Sequence, residues 1–127
     1  MGEKLGKKIL LIDDDLFIRD LYHEVLEQAG YVVETAADGK AGLEKIQAGG
    51  FDLILLDIMM PQLDGIGILS ELEINPHKQK NGPIVLLTNL AHDPVVKEAL
   101  KKGAHDCFIK ADMNPDEFLS KVRAIIK

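Results

Sequence analysis

Asp52-Leu53-Ile54-Leu55-Leu56-Asp57 sets four consecutive aliphatic side chains between two carboxylates. A strand with one wet face alternates apolar and polar residues, whereas an unbroken aliphatic run of this length suits a strand covered on both faces, as in a parallel sheet. We therefore read residues 52–56 as a buried strand, with Asp57 directly after it. Pro61 and the pair Asp64-Gly65 follow, which is turn chemistry. An amphipathic stretch through Ile66, Leu69, Leu72 and Ile74 then reads as a helix.

The same alternation extends in both directions. Ile9-Leu10-Leu11-Ile12 is a short aliphatic run without helical period, and three aspartates, Asp13, Asp14 and Asp15, follow it at once. Phe17, Leu21, Val25 and Ala29, with Ile18, Tyr22 and Leu26 beside them, mark one face of a helix, and Gly30 stands where a C-cap glycine belongs. Tyr31-Val32-Val33 reads as a second strand. Asp38 is placed to cap a helix holding Ala41, Leu43 and Ile46, which Gly49-Gly50 ends. Downstream, 75–82 is a polar loop, and 83–87 is a fourth strand ending at Thr88. Asp93-Pro94 opens a helix carrying Val95, Val96, Ala99 and Leu100. Cys107-Phe108-Ile109 is a short fifth strand ahead of Lys110. Asn114-Pro115-Asp116-Glu117 combines an N-cap, a proline at N1 and an acid at N3. The last helix then packs through Phe118, Leu119, Val122, Ile125 and Ile126.

Strand and helix thus alternate five times, with no linker, repeat or low-complexity tract between them. The pattern predicts one α/β domain over residues 1–127, with five helices around a doubly wound sheet of five parallel strands in the order 2-1-3-4-5. A closed barrel needs eight such units and about 250 residues. Bulk properties agree with a packed domain: 46% of the residues are hydrophobic, so a core can form, and 5% are aromatic, so aliphatic side chains must fill most of it. The net charge of -6, without a basic run, argues against a direct nucleic-acid partner. Cys107 is the single cysteine, which excludes an internal disulfide and fits a reducing compartment. The polar N-terminus has no signal-peptide core, and no apolar stretch approaches the roughly 18 residues of a membrane span. A cytoplasmic location is the expectation.

In an open parallel sheet the ligand site lies beyond the carboxyl ends of the strands, where the strand order reverses. The residues just past the aliphatic runs are Asp13-Asp14-Asp15, Asp57, Thr88 and Lys110. One aspartate after a strand is usually a turn former or a cap, as Asp15 can be for the first helix. A lone lysine is usually a solvated surface residue. Several polar groups at the same edge are another matter. Carboxylates from Asp13, Asp14 and Asp57 would repel one another unless a cation sat among them, and a few oxygen ligands suit Mg²⁺ better than zinc. Asp57 could then attack a phosphoryl group while Lys110 and Thr88 contact its oxygens.

Ile9 to Asp15, Asp52 to Gly65, Pro83 to Thr88 and Gly103 to Lys110 together resemble the receiver domain of two-component response regulators, over nearly the whole chain. The resemblance implies a flavodoxin-like fold, as in the chemotaxis regulators. It implies a phospho-acceptor signalling domain, promoting only its own phosphorylation and dephosphorylation, rather than an enzyme acting on other molecules. Asp57 would take the phosphoryl group from a phosphohistidine on a sensor histidine kinase or a histidine phosphotransfer protein. Asp14, Asp57 and the Met59 backbone carbonyl would hold Mg²⁺ directly, with Asp13 acting through water. Thr88 and Lys110 would contact the phosphoryl group. The signal would leave by protein contact or phosphorelay to a downstream protein, and a phosphorylation-dependent dimer belongs to the same expectation.

Some positions depart from that family's usual pattern. The switch position three residues before Lys110, usually aromatic, is Cys107; Phe108 comes one residue later and should face the other side of the sheet. Asn89 replaces a small residue after Thr88, where it can hydrogen-bond the phosphoryl group or narrow access to Asp57. Ala111 stands in place of a proline, which predicts a differently built loop. Met59 and Leu90, both apolar, fall where self-hydrolysis is tuned and predict a slowly decaying phosphoryl state. His23, His77, His92 and His105 lack metal-ligand spacing and read as surface or loop residues. Three other functions share parts of this pattern. They are a pseudo-receiver that binds partners without phosphorylation, a receiver fragment of a longer transcription regulator or hybrid kinase, and a flavin binder. Three aspartates after the first strand would repel a flavin phosphate.

Overall fold

The computed structural model describes residues 7–74, 81–89 and 94–126. Leu90, Asp93, His77 and His92 lie outside the described residues. In chain order the elements are β1 (Lys8–Ile12), α1 (Leu16–Gln28), β2 (Val32–Ala36), α2 (Gly39–Ala48), β3 (Leu53–Asp57), α3 (Gly65–Ile74), β4 (Ile84–Thr88), α4 (Pro94–Lys101), β5 (Asp106–Ile109) and α5 (Pro115–Ile125). The strands are parallel and ordered β2-β1-β3-β4-β5, as expected. The order reverses beside β1 and β3, so the ends of those two strands flank the crevice.

The pleat explains why the aliphatic runs are unbroken. Ile9 and Leu11, Leu53 and Leu55, Val85 and Leu87, and Phe108 pack into one cluster with Tyr22 and Leu26 of α1 and Phe118 and Val122 of α5. Their alternate neighbours Leu10 and Ile12, Ile54 and Leu56, and Leu86 pack on the opposite face with Ile46 of α2, Ile68 and Leu69 of α3, and Val96 and Ala99 of α4. Both faces are buried, so no strand position on β3 can be polar until the strand ends. Each fully buried Leu or Ile contributes about 1.5–3 kcal/mol.

Helix ends follow their local signals. Asp15 caps α1, its carboxylate accepting from the backbone N–H groups of Phe17 and Ile18. Asp38 caps α2 through Ala41 N–H. Asn114 and Glu117 form a reciprocal capping box on α5, with Pro115 at its start. Gly30, after the C-cap residue Ala29, has φ 99°, a left-handed conformation that other residues adopt only with strain.

Three details differ from the sequence reading. The core stripe of α1 runs through Tyr22 and Leu26, while Phe17 is 76% exposed, so the apolar side of this helix is rotated by about one residue from Phe17. Ile74 is likewise 73% exposed at the end of α3. β2 starts at Val32 and runs on through Glu34 and Thr35. It is an edge strand, and Glu34 is held there by Lys8 at 2.9 Å and Lys45 at 3.0 Å. Polar residues in an edge strand hide it from a hydrophobicity pattern.

Candidate functional site

Continuing the pleat past the strand ends assembles the site. Asp13 has the parity of Ile9 and Leu11, Asp57 that of Leu53 and Leu55, and Lys110 that of Phe108, so all three extend the face covered by α1 and α5. Lys110 opens a single 3-10 turn, Lys110–Asp112, in place of a longer strand, and the described peptide bonds are all trans. Its ammonium lies 2.8 Å from Asp13 Oδ2 and 3.5 Å from Asp57 Oδ2. Asp13 and Asp57 are 0% and 5% exposed, so these are contacts in a largely water-free setting.

Each carboxylate is oriented by backbone. Asp13 Oδ1 accepts from Asp15 N–H at 2.9 Å, and Asp57 Oδ1 accepts from Met59 N–H at 3.3 Å. The loop after Asp57 folds back tightly: Gly65 N–H donates to the Ile58 carbonyl at 2.9 Å. A Cβ on Gly65 would sit 2.9 Å from both the Asp57 carbonyl oxygen and Ile58 Cα, so only glycine allows this approach. The sequence reads Asp64-Gly65 as a turn; its role in seating Asp57 needs the fold. Arg19 carries no motif that marks it in the sequence either. From α1 its guanidinium donates to the Asp13 carbonyl at 2.8 Å, which ties the strand end to the helix.

The charges are unbalanced. Burial, and then the neighbouring Asp13 carboxylate, push the Asp57 carboxyl up to about 7, although Lys110 and the Met59 N–H act in the opposite sense. For Lys110, burial favours loss of the proton, but contact with Asp13 and Asp57 outweighs it and holds the ammonium above its ordinary value. Asp13 Oδ2 touches Lys110 at 2.8 Å, yet no partner meets it with hydrogen-bond geometry. An ion pair does not need that alignment, so the contact holds while the oxygen keeps a lone pair left over.

Asp13, Asp14 and Asp57 can each present a carboxylate oxygen within 4.8 Å of the others. Asp14 is exposed and gives the cluster a side open to water. Three hard oxygen donors, one of them buried without a hydrogen bond, fit a divalent cation of the Mg²⁺ type.

Thr88, 1% exposed, ends β4, next to the strand that ends in Asp57. Asn89 is exposed. Cys107 is half-buried and packs on the opposite face of the sheet from Phe108, as strand alternation predicts. Burial, and then Asp106, raise its thiol above the ordinary value. Of the described histidines, His23 pairs with Glu27 on α1 at 3.2 Å and His105 is exposed.

Comparison with known proteins agrees with this geometry. The chain is 38% identical to the transcriptional regulatory protein CpxR homolog of Haemophilus influenzae, over 94% of this chain and 50% of that protein. It is 34% identical to the chemotaxis protein CheY of Treponema pallidum, over 94% of this chain and 83% of that protein. It spans about half the length of most of the curated relatives it matches. Among solved structures, chemotaxis response regulator CheY4 of Vibrio cholerae superposes with a TM-score of 0.82 at 32% identity, covering 94% of this chain and 98% of that one. No helix among the described residues is long and apolar enough to cross a membrane. The sequence profile of the response regulator receiver domain matches residues 9–123, and with an acidic cluster and a lysine at the strand ends the chain belongs to that family.

Proposed function

We propose that Asp57 is the phosphoryl acceptor of this receiver and that residues 1–127 act as one receiver domain. One observation carries the reading. A buried carboxylate at the end of β3 lies 3.5 Å from a lysine ammonium and within a cluster of three carboxylates. Asp57 is seated by Met59 N–H and by the close approach of Gly65, so its free oxygen is preorganised to attack phosphorus. The donor is a phosphohistidine on a sensor histidine kinase or a histidine phosphotransfer protein. The new bond joins a carboxylate oxygen of Asp57 to phosphorus. The phosphorus–nitrogen bond breaks, and its electron pair leaves with the imidazole, which takes up a proton.

Lys110 neutralises charge on the transferred group and Thr88 donates a hydrogen bond to it, while Asn89 lines the approach. Asp13, Asp14, Asp57 and the Met59 carbonyl are the residues that would hold Mg²⁺. Bound there, the ion would offset the negative charge of phosphoryl and carboxylate oxygens. The domain promotes only its own phosphorylation and dephosphorylation, in the cytoplasm, and signals by contact with a downstream protein or a second phosphorylated copy.

The test is intact mass after incubation with Mg²⁺ and acetyl phosphate. One added phosphate, absent from Asp57→Asn, is the expected result; no adduct on the parent protein would favour a partner-binding module that works without phosphorylation. Met59 is 60% exposed and carries no group able to orient an attacking water, so the label should persist for minutes or longer. Decay within seconds would overturn that point.

A further inference from the structure

The site sits on the face of the sheet covered by α1 and α5, and that face holds an aromatic group with no part in the chemistry above. Tyr22 of α1 is 4% exposed and Phe118 of α5 is 0% exposed. Their rings stack at 4.1 Å between centroids with 14° between planes. Phe108 and Met113, which flank the Lys110 turn in the chain, belong to the same cluster as Tyr22 and Phe118. Lys121 of α5 stands 5.6 Å over the Phe108 ring. The turn bearing Lys110 is therefore anchored at both ends in an aromatic layer that also joins α1 to α5.

We propose that Tyr22, through its stack on Phe118, is the positioning residue that carries a displacement of Lys110 into helices α1 and α5. This rests on the reading of Asp57 as the acceptor. Lys110 is now shared between Asp13 at 2.8 Å and Asp57 at 3.5 Å. A phosphoryl group on Asp57 adds negative charge at the second of these, and the ammonium shifts toward it. The turn must follow, and its anchors Phe108 and Met113 press on the Tyr22–Phe118 pair. A close-packed layer of rings transmits such a shift because it has few ways to absorb it. Burial holds the Tyr22 phenol above its ordinary value, with the Lys110 ammonium acting against that and the Asp13 carboxylate with it. Cys107 is on the other side of the sheet, among Ile84, Leu86 and Ala104, so the usual switch position contributes no aromatic group to either layer.

The chain has two tyrosines and no tryptophan, so Tyr31→Phe leaves Tyr22 as its sole strong emitter. In that protein, labelling with Mg²⁺ and acetyl phosphate should shift Tyr22 emission, and the shift should reverse as the label decays; Asp57→Asn should show neither. Amide hydrogen exchange across residues 115–125 should change on labelling. Tyr22→Leu should still take up one phosphate by intact mass but lose the exchange change, and Tyr22→Phe, which keeps the ring, should restore it. A fully labelled protein with unchanged Tyr22 emission overturns the inference, as does a full exchange response in Tyr22→Leu. Absence of any mass adduct overturns the Asp57 reading and this inference with it, so the two failures are distinguishable.

Discussion

The two faces of the sheet are built from the same aliphatic strands but are finished differently. On the α1–α5 side the strand residues meet Tyr22, Phe108 and Phe118, and the pleat leads directly to Asp13, Asp57 and Lys110. On the side of α2, α3 and α4 they meet Ile46, Ile68, Leu69, Val96 and Ala99, with Phe51 the buried aromatic residue there and the half-buried Cys107 packed alongside. One layer carries stacked rings and leads to the charged groups; the other is mainly aliphatic. The difference teaches that the parity of a residue at a strand end decides which helices feel its chemistry.

The largest effect should come from breaking the aromatic layer. Phe118→Ala removes a fully buried ring and should cost about 3–5 kcal/mol in urea unfolding. Cys107→Ala, which trims a small half-buried side chain on the other face, should cost about 1 kcal/mol or less. Equal costs would erase the asymmetry.

Next in size is the charge within the aromatic side. The folded pKa of Asp57, about 7, lies above its ordinary 3.8, so folding favours the protonated form. Its penalty is absent below pH 3.8, grows as pH rises toward 7, and is constant above that. In magnesium-free buffer Asp57→Asn should therefore be more stable than the parent by about 1–3 kcal/mol at pH 8 and by much less at pH 5. Added Mg²⁺ should shrink the gap at pH 8 by stabilising the parent alone. A gap independent of pH would show that the buried charge is not its source.

Smaller still is the cap that starts α5. Asn114→Ala removes one half of the capping box and should cost about 1 kcal/mol. The smallest change should be at Phe17, which stands outside both layers. Phe17→Ser should alter stability by about 0.5 kcal/mol or less, and a cost of several kcal/mol would place this ring in the core after all.

Much of this was legible in the chain. The aliphatic run 53–56 declared a doubly covered strand, and the caps at Asp15, Asp38 and Asn114 fell where side-chain chemistry placed them. Those signals are local: a cap or a buried run needs only its own neighbours in sequence. The rotation of α1 that exposes Phe17 was not legible, because adjacent apolar residues on a helix fit two faces almost equally well. Nor was β2 beyond Val33, since Glu34 is stabilised by lysines from β1 and α2.

The sequence by itself determined the alternation of strands and helices, the order of the sheet and the identity of the polar groups at its carboxyl edge. It named Asp57 and Lys110 because each directly follows an aliphatic run. Tertiary structure alone decided the rest: that Asp13 is buried while Asp14 is open, that Gly65 closes on Asp57, that Arg19 ties α1 to the Asp13 carbonyl and that Tyr22 stacks on Phe118. The physical reason is distance along the chain. Residues 13, 57 and 110 meet only after parallel strands are laid side by side, and the burial that perturbs their charges exists only once the helices cover them.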